Sequence, residues 1–255
     1  MKLHSPYCLN RRRQSGLTLV EMLVSSALML FILLGLTLMF GQTQRAFQGG
    51  TKQIDVLEGG RAALDLIVRD LEQMADSGMI GVTNFFVGTV NNALDLKPGL
   101  TNEIQDLYFL THYNREWHAV GYSVKNTVPG VGSLYRYDVA DPSERPLSNN
   151  RLFIDYGTSL SGNFTNFNRI IDGVIHFKIR AADASGVATN ASTIGYSVHT
   201  TNSLPHYVDV ELGILEPRTL EQARGMGNAS TAFLQQQVGK IHIFRQQVPI
   251  RNAPR

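Results

Sequence analysis

Residues 11–40 read RRRQSGLTLVEMLVSSALMLFILLGLTLMF, three arginines and a glycine followed by a long apolar run. That order decides the reading. A secretory signal passes from a charged region to a short apolar region and only then to a small-residue cleavage site. Here the plausible cut, between Gly16 and Leu17, precedes the apolar run. Processing there removes a basic leader and leaves the span attached. No ionisable side chain occurs from Met22 to Phe40, and about 20 apolar residues suffice for a helix to cross hydrocarbon. Arg11, Arg12 and Arg13 place the N-terminus on the cytoplasmic side and the chain beyond about residue 41 on the other.

Glu21 breaks the apolar pattern, five residues after the proposed cut. A carboxylate inside a bilayer is unfavourable by about 2–4 kcal/mol on insertion scales, and by less near an interface. Cleavage after Gly16 creates an α-amino group on Leu17, largely cationic at neutral pH because its ordinary pKa is near ~8. Two opposite charges ~4 Å apart attract by about 4 kcal/mol at an intermediate effective dielectric, comparable with the cost of bringing the carboxylate in. The pair forms within one chain or between neighbours, and between neighbours it sets an axial register. The alternative is that Glu21 lies at the headgroups and snorkels.

The string RQSGLTLVEMLVSSALML resembles the leader and first helix of type IV prepilins and pseudopilins: a basic leader ending in Gly, then an apolar residue, Thr, Leu, Val and Glu. The resemblance implies that a membrane prepilin peptidase cuts between Gly16 and Leu17 and N-methylates Leu17. It also implies that Glu21 engages the N-terminus of an adjacent subunit. Leu17 stands where Phe is most usual in the family. Downstream, GGRAALDLIVRDLEQM, NEIQDLYFLTHYN, SLYRYDV, RIIDGVIHFKIRAADASG and LPHYVDVELGIL are similar in order and wording to large minor pseudopilins of the J type, from type II secretion systems. W-type minor pilins show a comparable order. The implied fold is α+β and pilin-like: a long N-terminal helix, transmembrane then amphipathic, packed on a mainly antiparallel sheet.

Composition fits an anchored ectodomain. The leader carries four basic residues (Lys2, Arg11, Arg12, Arg13) and no acid, so residues 17–255 hold 19 basic against 21 acidic residues, a net charge of −2. The positive charge of the whole chain belongs to the leader and gives no warrant for a nucleic-acid partner. The single cysteine, Cys8, is also in the leader, so the exported part stabilises itself by packing without a disulfide. Roughly 180 residues beyond the helix are enough for one core.

The expected domains are a cleaved leader (1–16), a transmembrane half-helix (17–41), an amphipathic half-helix (42–77) and a β-rich periplasmic domain (78–255). A helical insertion falls near 217–238, where TLEQAR and AFLQQQV flank Gly225, Gly227 and Asn228. In the amphipathic half, Leu64, Ile67, Val68, Leu71 and Met74 form an apolar stripe. Asp65, Arg69, Asp70 and Glu72 are expected mostly on other faces. Gly78 is read as the stop, and one of the pairs Gly49–Gly50 and Gly59–Gly60 as a bend or melted joint.

Expected strands are Gln105–His112, Trp117–Val124, Ser133–Val139, Arg151–Asp155, Gly173–Ala181, Tyr207–Leu215 and Lys240–Gln246. The stretches 141–150 and 156–168 read as exposed connections.

No enzyme motif is present. His112, His118, His176, His199, His206 and His242 show no recognised ligand spacing, and GxSxG, P-loop and GxGxxG patterns are absent. His176 reads as an exposed strand residue. Asp138, Asp141 and Glu144, or Asp183, lack the spacing of a calcium loop and read as solvated turns. The expectation is therefore a structural, non-catalytic subunit with no cofactor or metal and no nucleic-acid or small-molecule partner. Its expected partners are the inner membrane, prepilin peptidase and other pilins or pseudopilins. A signal-anchored periplasmic enzyme and a monomeric tethered binding module are the alternatives from other classes.

Overall fold

The computed structural model describes residues 18–89, 95–97, 100–113, 116–128, 130–141, 150–162, 164–182, 198–200 and 204–251. The chain divides into two compact units, Met1–Thr51 and Lys52–Arg255. Helix α1 runs from Leu19 to Glu72 without a break at either glycine pair. In the first unit its surface is apolar and exposed, from Leu19 (78%) through Phe31 (73%) to Phe40 (64%). The segment Leu19–Gln48 is long and apolar enough to cross a membrane.

In the second unit α1 becomes an ordinary packing helix. Leu64, Ile67, Leu71 and Met74 are buried, and Val68 packs against the same cluster. Gly60 is a point of close approach. A Cβ there would stand 2.3 Å from Phe244 Cε2 and 2.8 Å from Ile214 Cδ1, so the absent side chain lets the helix lie down on the sheet. The glycine serves packing, contrary to the expected bend. Helical structure stops at Glu72, five residues before the expected end at 77, because Met74 bridges to Thr111 and the Ala75 amide donates to the Leu110 carbonyl at 2.9 Å. The turn that follows uses Gly78 at φ 63°.

The sheet has strands β1 (Phe85–Thr89), β4 (Gln105–Tyr113), β5 (Glu116–Val128), β6 (Val131–Asp141), β7 (Phe167–Ala182), β8 (Val198–Thr200), β9 (Tyr207–Leu215) and β10 (Ile241–Pro249). Their order is β10-β9-β7-β6-β5-β4-β1-β8, every pair antiparallel. Between β1 and β4 lie the short strands β2 (Asp95–Lys97) and β3 (Leu100–Thr101), which pair with each other. The main sheet curls. Ile104 bridges Phe177 in parallel, the Phe177 amide donates to the Glu103 carbonyl at 2.7 Å, and the Asn102 Nδ2 donates to the carbonyls of Gly130 and Ile175. These bonds draw the start of β4 onto the middle of β7, three places away in the strand order. The molecule is α+β with pilin-like architecture, as the sequence implies.

β4 is buried on both faces. Leu107 and Phe109 join the α1 cluster, while Tyr108 and Leu110 join a second cluster with Trp117, Tyr137 and Tyr156. That second cluster requires a helix. The stretch 151–161, expected as a strand and an exposed connection, is helix α2 (Arg151–Ser161). The residues that decide it are Leu152, Tyr156 and Leu160, four apart, with Leu152 and Tyr156 buried and Leu160 packed on them. That is a helical period, and Arg151 pairs with Asp155 one turn on at 3.5 Å.

Helices α3 (Pro217–Met226) and α4 (Ser230–Gln236) precede β10. Their Leu220, Ala223 and Leu234 form a third cluster with Val131, Ile175 and Leu215. A bulge in β7 sends Ile175 to that cluster and keeps Val174 and Phe177 in the first.

Two expectations follow. Gly60→Val loses about 1–3 kcal/mol by overpacking against Phe244, whereas Gly157→Ala in α2, where a Cβ meets nothing within 4 Å, gains up to about 1 kcal/mol; thermal unfolding of the two variants checks the contrast. Burial pushes the Asp106 carboxyl up to about 6 despite the hydrogen bond from Ser123 Oγ at 2.6 Å. Its stabilising contribution is complete below the unfolded pKa near ~4 and is lost as pH rises through about 6. Asp106→Asn is therefore more stable than the parent at pH ~8, by about 2 kcal/mol, and equal to it at pH ~4; denaturant curves at both pH values measure this.

Candidate functional site

At the head of α1 lies the pair Thr18 and Glu21. The Thr18 amide and hydroxyl both donate to Glu21 Oε2 at 2.9 Å, and the Glu21 amide donates back to Thr18 Oγ1 at 3.3 Å. This is a capping box, in which residues three apart satisfy each other's free groups at a helix start. It consumes one carboxylate oxygen. Glu21 Oε1 accepts no hydrogen bond from the described residues. Gly16 and Leu17, the expected processing pair, lie outside the described residues.

Three hydroxyls of the apolar segment bond back to their own helix. Ser26 Oγ donates to the Leu23 carbonyl, Thr37 Oγ1 to Leu33 and Thr43 Oγ1 to Met39, at 2.7–2.9 Å. Such back-bonding satisfies hydroxyls in a helix facing lipid. Glu21 differs in being an acid with one oxygen left over. Thr18 was not singled out from sequence, although the T-x-x-E spacing of TLVE carries the signal.

A second polar site was invisible in the sequence. Where α1 ends, Asp70 is buried rather than facing solvent: Arg136 Nε and Tyr122 Oη both donate to its Oδ2 at 2.6 Å. Arg136 Nη1 donates to Asp138 Oδ2 at 2.6 Å, and His118 Nδ1 stands 3.2 Å from Asp138 Oδ1. Burial opposes the charge on Arg136, but the two carboxylates outweigh it and hold the guanidinium protonated well beyond its usual range. Burial, reinforced by Asp70, likewise holds the Tyr122 hydroxyl protonated. A half-open cleft of about 310 Å³ adjoins this network, with Thr111 and Tyr113 in its walls.

His176, expected on the wet face of its strand, is mostly covered. Its Nδ1 accepts from the Glu103 amide at 3.0 Å, which leaves the ring hydrogen on Nε2 to donate to Glu211 Oε2 at 3.3 Å. Burial lowers its pKa against the pull of Glu211. It is a structural histidine joining β7, β9 and the segment before β4. Among the described residues no group of three or more His, Cys, Asp or Glu is placed to hold a metal ion. Asp138 is committed to Arg136 and His118, and Glu144 and Asp183 lie outside the described residues.

Comparison with known proteins adds a family model. Residues 11–37 match the prokaryotic N-terminal methylation motif. With the apolar helix beginning at Leu19 and the curled antiparallel sheet, the match indicates a type IV pilin-like or pseudopilin subunit, a structural and generally non-enzymatic class. Motifs of this kind imply processing by prepilin peptidase and assembly with other pilins. No curated protein matches the chain.

The buried ion pair sets a stability expectation. Arg136→Gln leaves Asp70 without its cation and costs about 3 kcal/mol, whereas Tyr122→Phe removes one neutral donor to a charge and costs about 1.5–3 kcal/mol. Urea denaturation of both single variants and the double variant measures the two losses and their coupling.

Proposed function

We propose that this chain is a minor pseudopilin or minor pilin, a structural subunit held in the inner membrane by α1 and assembled through that helix into a pseudopilus or pilus tip complex. Prepilin peptidase cuts between Gly16 and Leu17 and methylates the new N-terminus. Residues 1–16 are the leader, 17–41 the membrane and polymerisation segment, and 42–77 the amphipathic continuation. Residues 78–255 form the periplasmic domain, with its helical insertion near 217–238. The subunit carries no cofactor and performs no catalysis.

One observation carries the reading. A methylation motif leads directly into an exposed apolar stretch, Leu19 to Phe40, whose single charged side chain, Glu21, keeps one carboxylate oxygen without a donor among the described residues. The amine of a neighbouring Leu17 is a matching donor, and the pairing neutralises both groups in a medium where unpaired charge is costly. Lipid offers helices no hydrophobic gain on association, so specificity comes from packing and polar pairing. The likeness of the downstream phrases to J-type pseudopilins favours the secretion-system setting over the pilus setting.

The test is photo-cross-linking in native membranes from a photoreactive residue at position Ser25. The Glu21→Gln variant keeps the capping acceptor but loses the charge. It is expected to insert normally and to yield at least tenfold less subunit–subunit product, the equivalent of losing about 1.4 kcal/mol. Undiminished cross-linking by Glu21→Gln contradicts the assembly role.

A further inference from the structure

Strand β7 lies between β6 and β9, but the two ladders differ in length. Pairing with β6 ends at Val174, opposite Gly132, while pairing with β9 continues to Ala182. Residues 102–105 close the gap as a strap. The Phe177 amide donates to the Glu103 carbonyl at 2.7 Å, the Ile179 amide to Gln105 Oε1 at 2.5 Å, and Asn102 Nδ2 to the Ile175 carbonyl at 2.8 Å. Asn102, Ile104 and Gln105 are buried in this position. Without the strap, those groups of β7 would form an open sheet edge.

One bond that ties the strap down depends on the protonation of a ring. The Glu103 amide donates to His176 Nδ1 at 3.0 Å. A backbone amide can only donate, so Nδ1 must present its lone pair and the ring must be neutral, with its hydrogen on Nε2 towards Glu211 Oε2. A proton added at Nδ1 sets two N–H groups against each other and removes that acceptor from the Glu103 amide.

The charges around the ring are divided. Glu211 on β9 and Glu103 on the strap favour protonation, Lys178 on β7 opposes it, and Arg245 on β10 competes for Glu211 through its other oxygen at 3.5 Å. Burial is the largest influence and favours the neutral ring. The unfolded chain frees the ring from that burial, so the stabilising contribution of the bond is complete above the ordinary histidine pKa near ~6.5 and is lost as pH falls through the lower value in the fold. Lys178 Nζ also reaches the Glu103 carboxylate, a contact that ring protonation leaves in place, so the ring controls the backbone of the strap.

We propose that His176 is an acid-sensitive latch: its neutral ring holds residues 102–105 against β7, and protonation at Nδ1 releases the strap and bares the edge of β7 at Ile175, Phe177 and Ile179.

Hydrogen exchange of the full chain in nanodiscs, resolved to single amides and corrected for the pH dependence of intrinsic exchange, tests the latch. Between pH ~7.5 and pH ~4, protection of the Glu103, Phe177 and Ile179 amides is expected to fall by roughly tenfold or more, while ladder amides between β5 and β6 keep theirs. His176→Asn offers a side-chain oxygen near the place of Nδ1 that takes up no proton, and its strap amides are expected to be equally protected at both ends of the range. Unchanged protection in the parent at pH ~4, or an equal loss in His176→Asn, overturns the latch. The ring nitrogen shifts of the parent provide a readout that needs no variant: Nδ1 is expected to be unprotonated at pH ~7.5 and to gain its proton in step with the loss of strap protection. A ring already protonated on Nδ1 at pH ~7.5, or one that protonates while the strap stays protected, overturns it equally.

Discussion

A single carboxylate at the head of an otherwise uncharged stretch, Leu19 to Phe40, is the constraint on which the reading of the first half of α1 depends. The hydroxyls of Ser26, Thr37 and Thr43 are closed by carbonyls three or four residues back. Glu21 is only half closed. Thr18 takes Oε2 and fixes the first turn, while Oε1 keeps its capacity to accept. In lipid, where apolar contact with a neighbouring helix and with acyl chains is nearly equivalent, the assembly we propose takes its direction and register from this leftover acceptor.

The second half of the helix solves a different problem. Its apolar stripe has a sheet to cover it, and the requirement becomes close packing without a stranded charge. Gly60 supplies the closeness by leaving room for the Phe244 ring. Asp70 supplies the complication, because it sits in the buried zone one residue before Leu71. Arg136 and Tyr122 make it tolerable, and in doing so they fix the helix end against β5 and β6. Asp138 shares the same guanidinium. The network is thus both a structural joint and the floor of a cleft.

What could be read in advance depended on the range of the interaction. β9 was legible residue for residue, because Val208, Val210 and Leu212 alternate with Asp209 and Glu211 and the burial follows. The α1 stripe was legible for the same reason, at period 3.6. Helix α2 was misread because a few residues of RLFID carry no clear period, and only Tyr156 and Leu160, beyond the assumed boundary, reveal the helical one. Strands β1 and β8 were missed because short strands carry little pattern and pair with partners remote in sequence. At the site, Glu21 stood out as the lone acid in its context, and its link to Thr18 was encoded in a three-residue spacing. Asp70 and Arg136 are 66 positions apart. Nothing local marks either as a partner of the other, so only the packing of α1 on the sheet discloses the cleft.

Everything assigned to the helix head depends on a free amine being created beside Glu21. The direct measurement is the intact mass and N-terminal sequence of the chain purified from membranes of its native host. The account requires a first residue of Leu17, a mass equal to residues 17–255 plus one methyl group, and no trace of Arg11, Arg12 or Arg13 in the mature protein. A mature chain that retains the basic leader, or that begins on the far side of the apolar segment, contradicts it.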